Sequence, residues 1–157
     1  MIKWPDHYHP SRVPVHVVNE LTIPAPCEVV WAWLIRAPLW PSWYPNSSDV
    51  RLVDRPQSEL RLGTMFTWKT FGVKLKSTVQ EFVPRERVAW SARGLGVDAY
   101  HAWLFLPRQS GTHVITEETQ YGSLARLQKL FMPGRMRRGH QLWLEKLSEN
   151  AQTGTPP

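Results

Sequence analysis

The sequence predicts an α+β protein in which a curved antiparallel β-sheet wraps around a long C-terminal α-helix, with two short helices after the first strand. Three features indicate this class: a β-branched segment before residue 24, short alternating segments separated by turn residues after Asn46, and a helical pattern near the C terminus. The length of 157 residues fits one domain. We therefore predict an irregular arm at 1–14, a single domain at 15–150 and a disordered tail at 151–157.

The first part of the domain predicts one strand and two short helices. Val15–Ile23 is rich in β-branched residues, and the prolines that follow it end the strand. Cys27–Ile35 carries apolar residues at helical spacing, which predicts a helix. Further prolines interrupt this pattern, so the aromatic run at 39–45 predicts a turn or a second small helix.

The middle of the chain predicts an antiparallel meander of six strands. The candidate strands are Asp49–Arg55, a segment opening at Leu62, the segments 73–80 and 88–93, Val97–Leu106 and His113–Tyr121. Apolar and polar residues alternate in the segment at 73–80, where two lysines mark the solvent face. Short strands with regular Gly- or Pro-containing turns between them are typical of antiparallel sheets.

The pattern at 123–150 predicts the long helix. Its two apolar stripes contain Leu127 and Phe131 in the first, and Trp143 and Leu147 in the second. Pro133-Gly134 separates the stripes and predicts a break or kink between them. We expect both stripes to pack across the concave face of the sheet.

Composition and charge exclude several classes of protein. The net charge of +6 favours anionic partners, but the absence of a long Lys/Arg run argues against nucleic-acid binding. The single cysteine, Cys27, permits no internal disulfide and indicates a reducing compartment. Neither a secretory signal nor an apolar stretch of about 18–20 residues is present, so we expect a cytoplasmic protein without stable membrane insertion. The sequence leaves a homodimer open.

The order of elements, together with four short segments, resembles a known family. These segments are Ile23–Trp31 at the strand-to-helix entry, the aromatic run Trp40–Pro45, and the strand openings Leu62–Phe66 and Gly111–Val114. In this order they resemble the corresponding segments of proteins with the helix-grip fold of the START-like superfamily (SRPBCC proteins). This superfamily includes polyketide cyclase/dehydrase-type and birch-pollen-allergen-like proteins. The resemblance implies a pocket between the sheet and the long helix for lipids, polyketides or other apolar molecules. Members include carriers and enzymes, so the resemblance leaves the activity open.

Register in the last hairpin suggests one titratable pair. If Pro107 pairs with Thr112, His101 lies opposite Glu118 on the face that carries Trp103. The apolar content of that face predicts that it points inward. An imidazole beside a carboxylate is suited to acid/base catalysis. The same pair could instead orient a ligand or fix the register of the strands.

The unusual content of nine tryptophans suggests that some indoles line a ligand pocket while others form the core. His140 lies near Trp143 on the helix and is expected mainly to pack. The predicted ligand-binding residues are Trp33, Trp43, Phe66, Trp68, Leu75, Ser77, Trp90, His101, Trp103, Thr116, Glu118, Phe131, His140 and Trp143.

The sequence predicts neither a metal nor an organic cofactor. His7 and His9, with His16 after them, have spacing that can bind zinc, but they lie in a proline-rich arm with Asp6 as the only nearby carboxylate. Cysteine pairs, glycine-rich phosphate loops and the usual hydrolase and metalloprotease motifs do not occur.

Three functions remain as hypotheses. The first is a carrier or sensor for a small hydrophobic or aromatic ligand, indicated by the inward aromatic residues and the scarcity of catalytic side chains. The second is a cyclase or dehydratase that uses His101 and Glu118 as an acid/base pair. The third is a membrane-surface protein, in which a basic cluster flanks two apolar residues. The cluster comprises Lys129, Arg135, Arg137 and Arg138, and the apolar pair is Phe131-Met132.

Overall fold

The computed structural model describes residues 2–53 and 58–157. Over these residues the chain forms one antiparallel sheet of seven strands in the order β1-β7-β6-β5-β4-β3-β2. The strands are β1 Val15–Ile23, β2 Ser47–Leu52, β3 Met65–Thr70, β4 Val73–Val83, β5 Arg87–Gly94, β6 Val97–Arg108 and β7 Gly111–Tyr121. The helices are α1 Cys27–Ile35, α2 Trp40–Trp43, α3 Ser123–Phe131 and α4 Arg135–Ala151, and short 3₁₀ turns lie at Asp6–Tyr8 and Ala37–Leu39. The predicted α+β helix-grip fold is confirmed.

The sheet follows the predicted pattern of pairing. Pro107 pairs with Thr112, and His101 lies opposite Glu118, as the short hairpin requires. In β4, Leu75 is buried while the lysines beside it are exposed, which confirms the predicted alternation. The second strand starts at Ser47, two residues before the predicted start, and its predicted end at Arg55 lies outside the described residues.

Aromatic side chains fill the concave side of the sheet. The indole of Trp40 lies at the centre and is fully buried. Its ring centroid is 5.1 Å from that of Trp143 on α4 and 5.6 Å from that of Trp90 on β5. Trp143 also stacks on Tyr44, with centroids 4.5 Å apart and the ring planes inclined by 8°. Packed rings therefore join Trp143 of α4 to the rest of the core on this side of the sheet.

The predicted break in the long helix is confirmed, but the packing predicted for its first half is wrong. Gly134 has φ 78°, a left-handed conformation that glycine adopts easily, and it separates α3 from α4. Within α3, Leu127 and Phe131 are 51% and 72% exposed, and only Ala125 is buried. The break turns α4 alone across the concave face, so α3 remains at the rim of the sheet.

The two ends of the chain are held against the domain. The N-terminal arm covers the convex face, where Ile2 and Tyr8 pack in a second apolar cluster with Tyr100. At the C terminus the indole of Trp33 donates to the carbonyl of Gly154 at 2.8 Å. The tail thus supplies an acceptor to a nearly buried indole N–H. The division into an arm at 1–14, a domain at 15–150 and a disordered tail at 151–157 stays a prediction.

Candidate functional site

Three side chains from three elements form a buried polar cluster on the concave face. His101 comes from β6, Glu118 from β7 and His140 from α4, and each is buried. The Nδ1 atom of His101 and the Nε2 atom of His140 each lie 3.1 Å from Oε2 of Glu118. The predicted approach of His101 and Glu118 across the last hairpin is confirmed, while the role of the pair stays a prediction. We refer to these three residues as the His–Glu–His cluster.

Neighbouring polar groups fix the orientation of the cluster. The Nε2 atom of His101 lies 2.7 Å from Oγ1 of Thr116, which is on the same face of the adjacent strand. The side-chain amide of Gln120 donates to Oε1 of Glu118. The two imidazoles stack, with centroids 4.7 Å apart. Neither ring nitrogen of His140 makes an aligned hydrogen bond, so the cluster has an incompletely satisfied member.

The charge states of the cluster follow from its burial. Burial lowers the pKa of His101 to about 3, against the opposing effect of Glu118, so this imidazole is neutral at pH 7. Burial raises the pKa of Glu118, but the two imidazoles and the Gln120 amide lower it more, and the net direction is downward. The centre of the cluster is therefore a buried carboxylate.

The cluster borders a small crevice between the sheet and α4. Its volume is about 30 Å³, enough for roughly two water molecules, since one water needs about 10–15 Å³ on this measure. This is far less than the ligand-sized pocket that the tryptophan content suggested, because the rings occupy the space themselves. Phe71 in the β3–β4 turn and Met136 on α4 lie at the crevice with the cluster.

The structure separates the predicted ligand-binding residues into two groups. Those that line the crevice are Trp68, Leu75, Trp90, His101, Glu118, His140 and Trp143. Those that do not are Trp33, Trp43, Phe66, Ser77, Trp103, Thr116 and Phe131. Phe66, Ser77 and Trp103 belong to the closed core. Phe131 is exposed, so its assignment to the pocket is wrong: α3 does not cross the sheet.

Sequence reasoning missed several residues that line the crevice. They include Thr70, Phe71, Gln120, Gln128 and Met136. Gln120 could have been found, because it lies two residues after Glu118 on the same face of β7. Phe71 could not, since it lies in a turn with φ 49° where strand alternation no longer indicates direction.

The histidines considered for zinc binding do not come together. His7 lies 3.4 Å from Asp98, and His16 lies 2.9 Å from Glu117. Instead, the described part of the chain has one group of at least three His, Cys, Asp or Glu residues whose ligand atoms lie within 4.8 Å of one another, and it is the His–Glu–His cluster.

The surface of the protein also carries an apolar patch on the uncovered side of α3. Leu130 and Phe131 are 71% and 72% exposed, and Met132 after them is 43% exposed. Lys129 precedes them on α3, while Arg137 and Arg138 follow on α4. In the described residues, every helix is too short or too polar to cross a bilayer.

Comparison with known proteins gives matches in both sequence and fold. The sequence model of a family described as "Polyketide cyclase / dehydrase and lipid transport" matches residues 14–152. The hypothetical protein jhp0584 from Helicobacter pylori is 28% identical, with 96% of each chain covered and a TM-score of 0.89. None of the curated proteins compared matches the sequence.

Two more distant structures share the fold. TTHA0849 from Thermus thermophilus is 20% identical over 90% of this chain and 100% of that chain, with a TM-score of 0.74. The Zhui aromatase/cyclase from Streptomyces sp. R1128 is 14% identical over 90% of this chain and 99% of that chain, with a TM-score of 0.74. At these identities the similarity establishes the fold and not the activity.

Proposed function

Since the chain belongs to the polyketide cyclase/dehydrase and lipid transport family, we propose that it binds a small hydrophobic or aromatic molecule, as a carrier or sensor, in the crevice between the sheet and α4. The family match also confirms the START-like resemblance. One observation carries the proposal: a crevice bordered by aromatic rings ends on the buried His–Glu–His cluster. Apolar walls with a few convergent polar groups are the usual composition of small-molecule sites.

The small volume of the crevice sets a condition on this function. About 30 Å³ holds water but not an aromatic ring, so a ligand enters only if the surrounding elements separate. The junction of α3 and α4 is the part best suited to move, because α3 buries little apolar surface and Gly134 provides a hinge. The guanidinium of Arg135 donates to the carbonyl of Phe71 at 3.3 Å, and opening would break this contact.

The polar end of the crevice would orient the ligand. Gln120 and His140 both line the crevice, and His140 has ring nitrogens without aligned partners. A ligand carbonyl or hydroxyl could satisfy such a group, while indole rings of Trp90 and Trp143 would cover its flat faces. The proposed ligand therefore has an aromatic or apolar body and one polar end.

Equilibrium dialysis with 2-naphthol, a flat ring with one hydroxyl, tests this proposal. We expect saturable binding with about one site per chain. Gln128→Trp places a large ring at the crevice and should weaken binding at least tenfold, whereas Leu130→Trp adds the same ring on the exposed side of α3 and should leave binding unchanged. Binding that is not saturable, or that both variants change equally, would contradict a site in the crevice.

A cyclase or dehydratase is the second candidate, favoured by the 3.1 Å approach of His101 and Glu118 at the crevice. Mass spectrometry of a β-keto thioester incubated with the protein separates the two functions. If the wild-type protein forms a product and the His101→Asn variant forms none while it still binds 2-naphthol, the protein is an enzyme. Binding without product in the wild-type protein indicates a carrier or sensor.

Contact with a membrane surface is a third candidate, favoured by the exposed apolar side of α3 and its basic neighbours. Amphipathic helices of this kind bind anionic lipid through apolar burial combined with charge attraction. This function is compatible with ligand binding, because lipid contact would act on the same mobile helix.

A further inference from the structure

We propose that the His–Glu–His cluster is a binding site for one divalent transition-metal ion of the zinc type. The sequence alone predicted no metal, and its only candidate was the separate group of histidines in the N-terminal arm. The inference goes beyond small-molecule binding and does not depend on it, because it rests on the geometry of the cluster itself.

The distances within the cluster match a metal site. Zinc binds histidine nitrogen and carboxylate oxygen at about 2.0–2.2 Å, so two ligands of a tetrahedral ion lie roughly 3.3 Å apart. Both imidazoles have a ring nitrogen 3.1 Å from Oε2 of Glu118, close to that separation. All three ligand atoms lie within 4.8 Å of one another. An ion between them would need only small shifts of the side chains.

The hydrogen bonding of His140 points to a missing partner. Both of its ring nitrogens are buried without an aligned hydrogen bond, although the residue is only 1% exposed. A buried polar group without a partner is costly, and native proteins rarely retain one. Nε2 of His140 lies 3.1 Å from Oε2 of Glu118, so an ion bound by that carboxylate would also give this nitrogen a partner.

A second carboxylate in the same sheet shows how this protein otherwise compensates negative charge. Asp98, on the convex face of β6, accepts a hydrogen bond from Tyr8 at 2.6 Å and lies 3.2 Å from the guanidinium of Arg93. Glu118 is more deeply buried, yet among the described residues no lysine or arginine lies within 4.0 Å of it. A bound cation would provide the compensation that Arg93 gives to Asp98.

The surrounding residues leave the three ligand atoms available. A hydrogen bond joins Nε2 of His101 to the hydroxyl of Thr116, and this directs the other ring nitrogen, Nδ1, towards Glu118. The side-chain amide of Gln120 donates a hydrogen bond to Oε1 of Glu118, which leaves Oε2 for the ion. Such outer contacts orient the ligands in natural metal sites. The crevice beside the cluster has room for a water molecule as a fourth ligand.

The types of ligand indicate the class of ion. Two imidazoles and one carboxylate suit zinc, cobalt, nickel and ferrous iron. Calcium and magnesium prefer all-oxygen ligands, so they are not expected here. An open fourth position is typical of catalytic and ligand-binding metal sites rather than of structural ones.

Metal uptake by chelator-treated full-length protein tests the inference. We expect about one Zn²⁺ per chain by mass spectrometry of dialysed samples, and a visible absorption band when Co²⁺ replaces it. His140→Gln removes one ligand with little change of size and should lower Zn²⁺ affinity at least about tenfold. His113→Gln is the matched control, because His113 lies on β7 away from the cluster, 3.5 Å from Glu20.

Two results would overturn the metal site. One is that the wild-type protein takes up less than about a tenth of an equivalent of Zn²⁺ at micromolar free Zn²⁺. This result can be interpreted without any variant. The other is equal loss of binding in His140→Gln and His113→Gln, with both variants folded by circular dichroism. No small molecule is present in either measurement, so failure here is distinct from failure of 2-naphthol binding.

Discussion

The two helices at the C-terminal end of the domain have similar apolar stripes but different environments. Trp143 and Leu147 on α4 are fully packed in the concave face, whereas Leu130 and Phe131 on α3 are among the most exposed apolar residues described. The difference arises at the break before α4, where Gly134 changes the direction of the chain. Amphipathic spacing therefore indicates which side of a helix is apolar, but not whether another element covers it.

The largest expected effect is on the packed helix. Trp143→Ala removes a ring that is 1% exposed and stacked on Tyr44, so we expect a loss of about 3–5 kcal/mol in the free energy of unfolding. Urea denaturation followed by circular dichroism measures it. The control Phe131→Ala should change stability by no more than about 0.5 kcal/mol, since its ring is exposed. Similar losses in both variants would refute the contrast between the helices.

A smaller effect is expected at the break itself. Gly134→Ala places a side chain at φ 78°, where residues other than glycine are strained, and should destabilise the protein by about 1 kcal/mol. In one continuous helix the same substitution would stabilise by a similar amount. Urea denaturation measures the free energy of unfolding and distinguishes a loss of stability from a gain. A gain in stability would show that α3 and α4 join into a single helix in solution.

Some of the site was accessible from the sequence because strand geometry is strongly constrained. A short hairpin fixes the pairing of β6 with β7, and alternation fixes the facing, so the approach of His101 and Glu118 could be predicted. The sequence also placed His140 among the ligand-binding residues, but its contact with Glu118 could not be predicted, because His140 comes from a helix whose rotation and position depend on tertiary packing. The same limit explains the crevice: composition revealed many indoles but not that their rings would fill the space they surround.

The exposed stripe of α3 gives the last comparison, because the membrane contact considered as a third function would use the uncovered helix and not the packed one. Phe131 and Leu130 would enter the lipid interface while Lys129 and Arg137 contact anionic headgroups. We expect the protein to co-sediment with vesicles containing phosphatidylglycerol, less with neutral vesicles, and less at high salt.

Phe131→Ser should lower vesicle binding about tenfold or more, because burying a phenylalanine side chain contributes roughly 1.5–3 kcal/mol and about 1.4 kcal/mol corresponds to a factor of ten. Leu62→Ser is the control, since Leu62 is 66% exposed but lies in the loop before β3, away from α3. Binding that Leu62→Ser lowers as much as Phe131→Ser would show general surface adhesion. Binding that is equal for neutral and anionic vesicles would remove the basic residues from the explanation and leave burial of the apolar stripe alone to account for it.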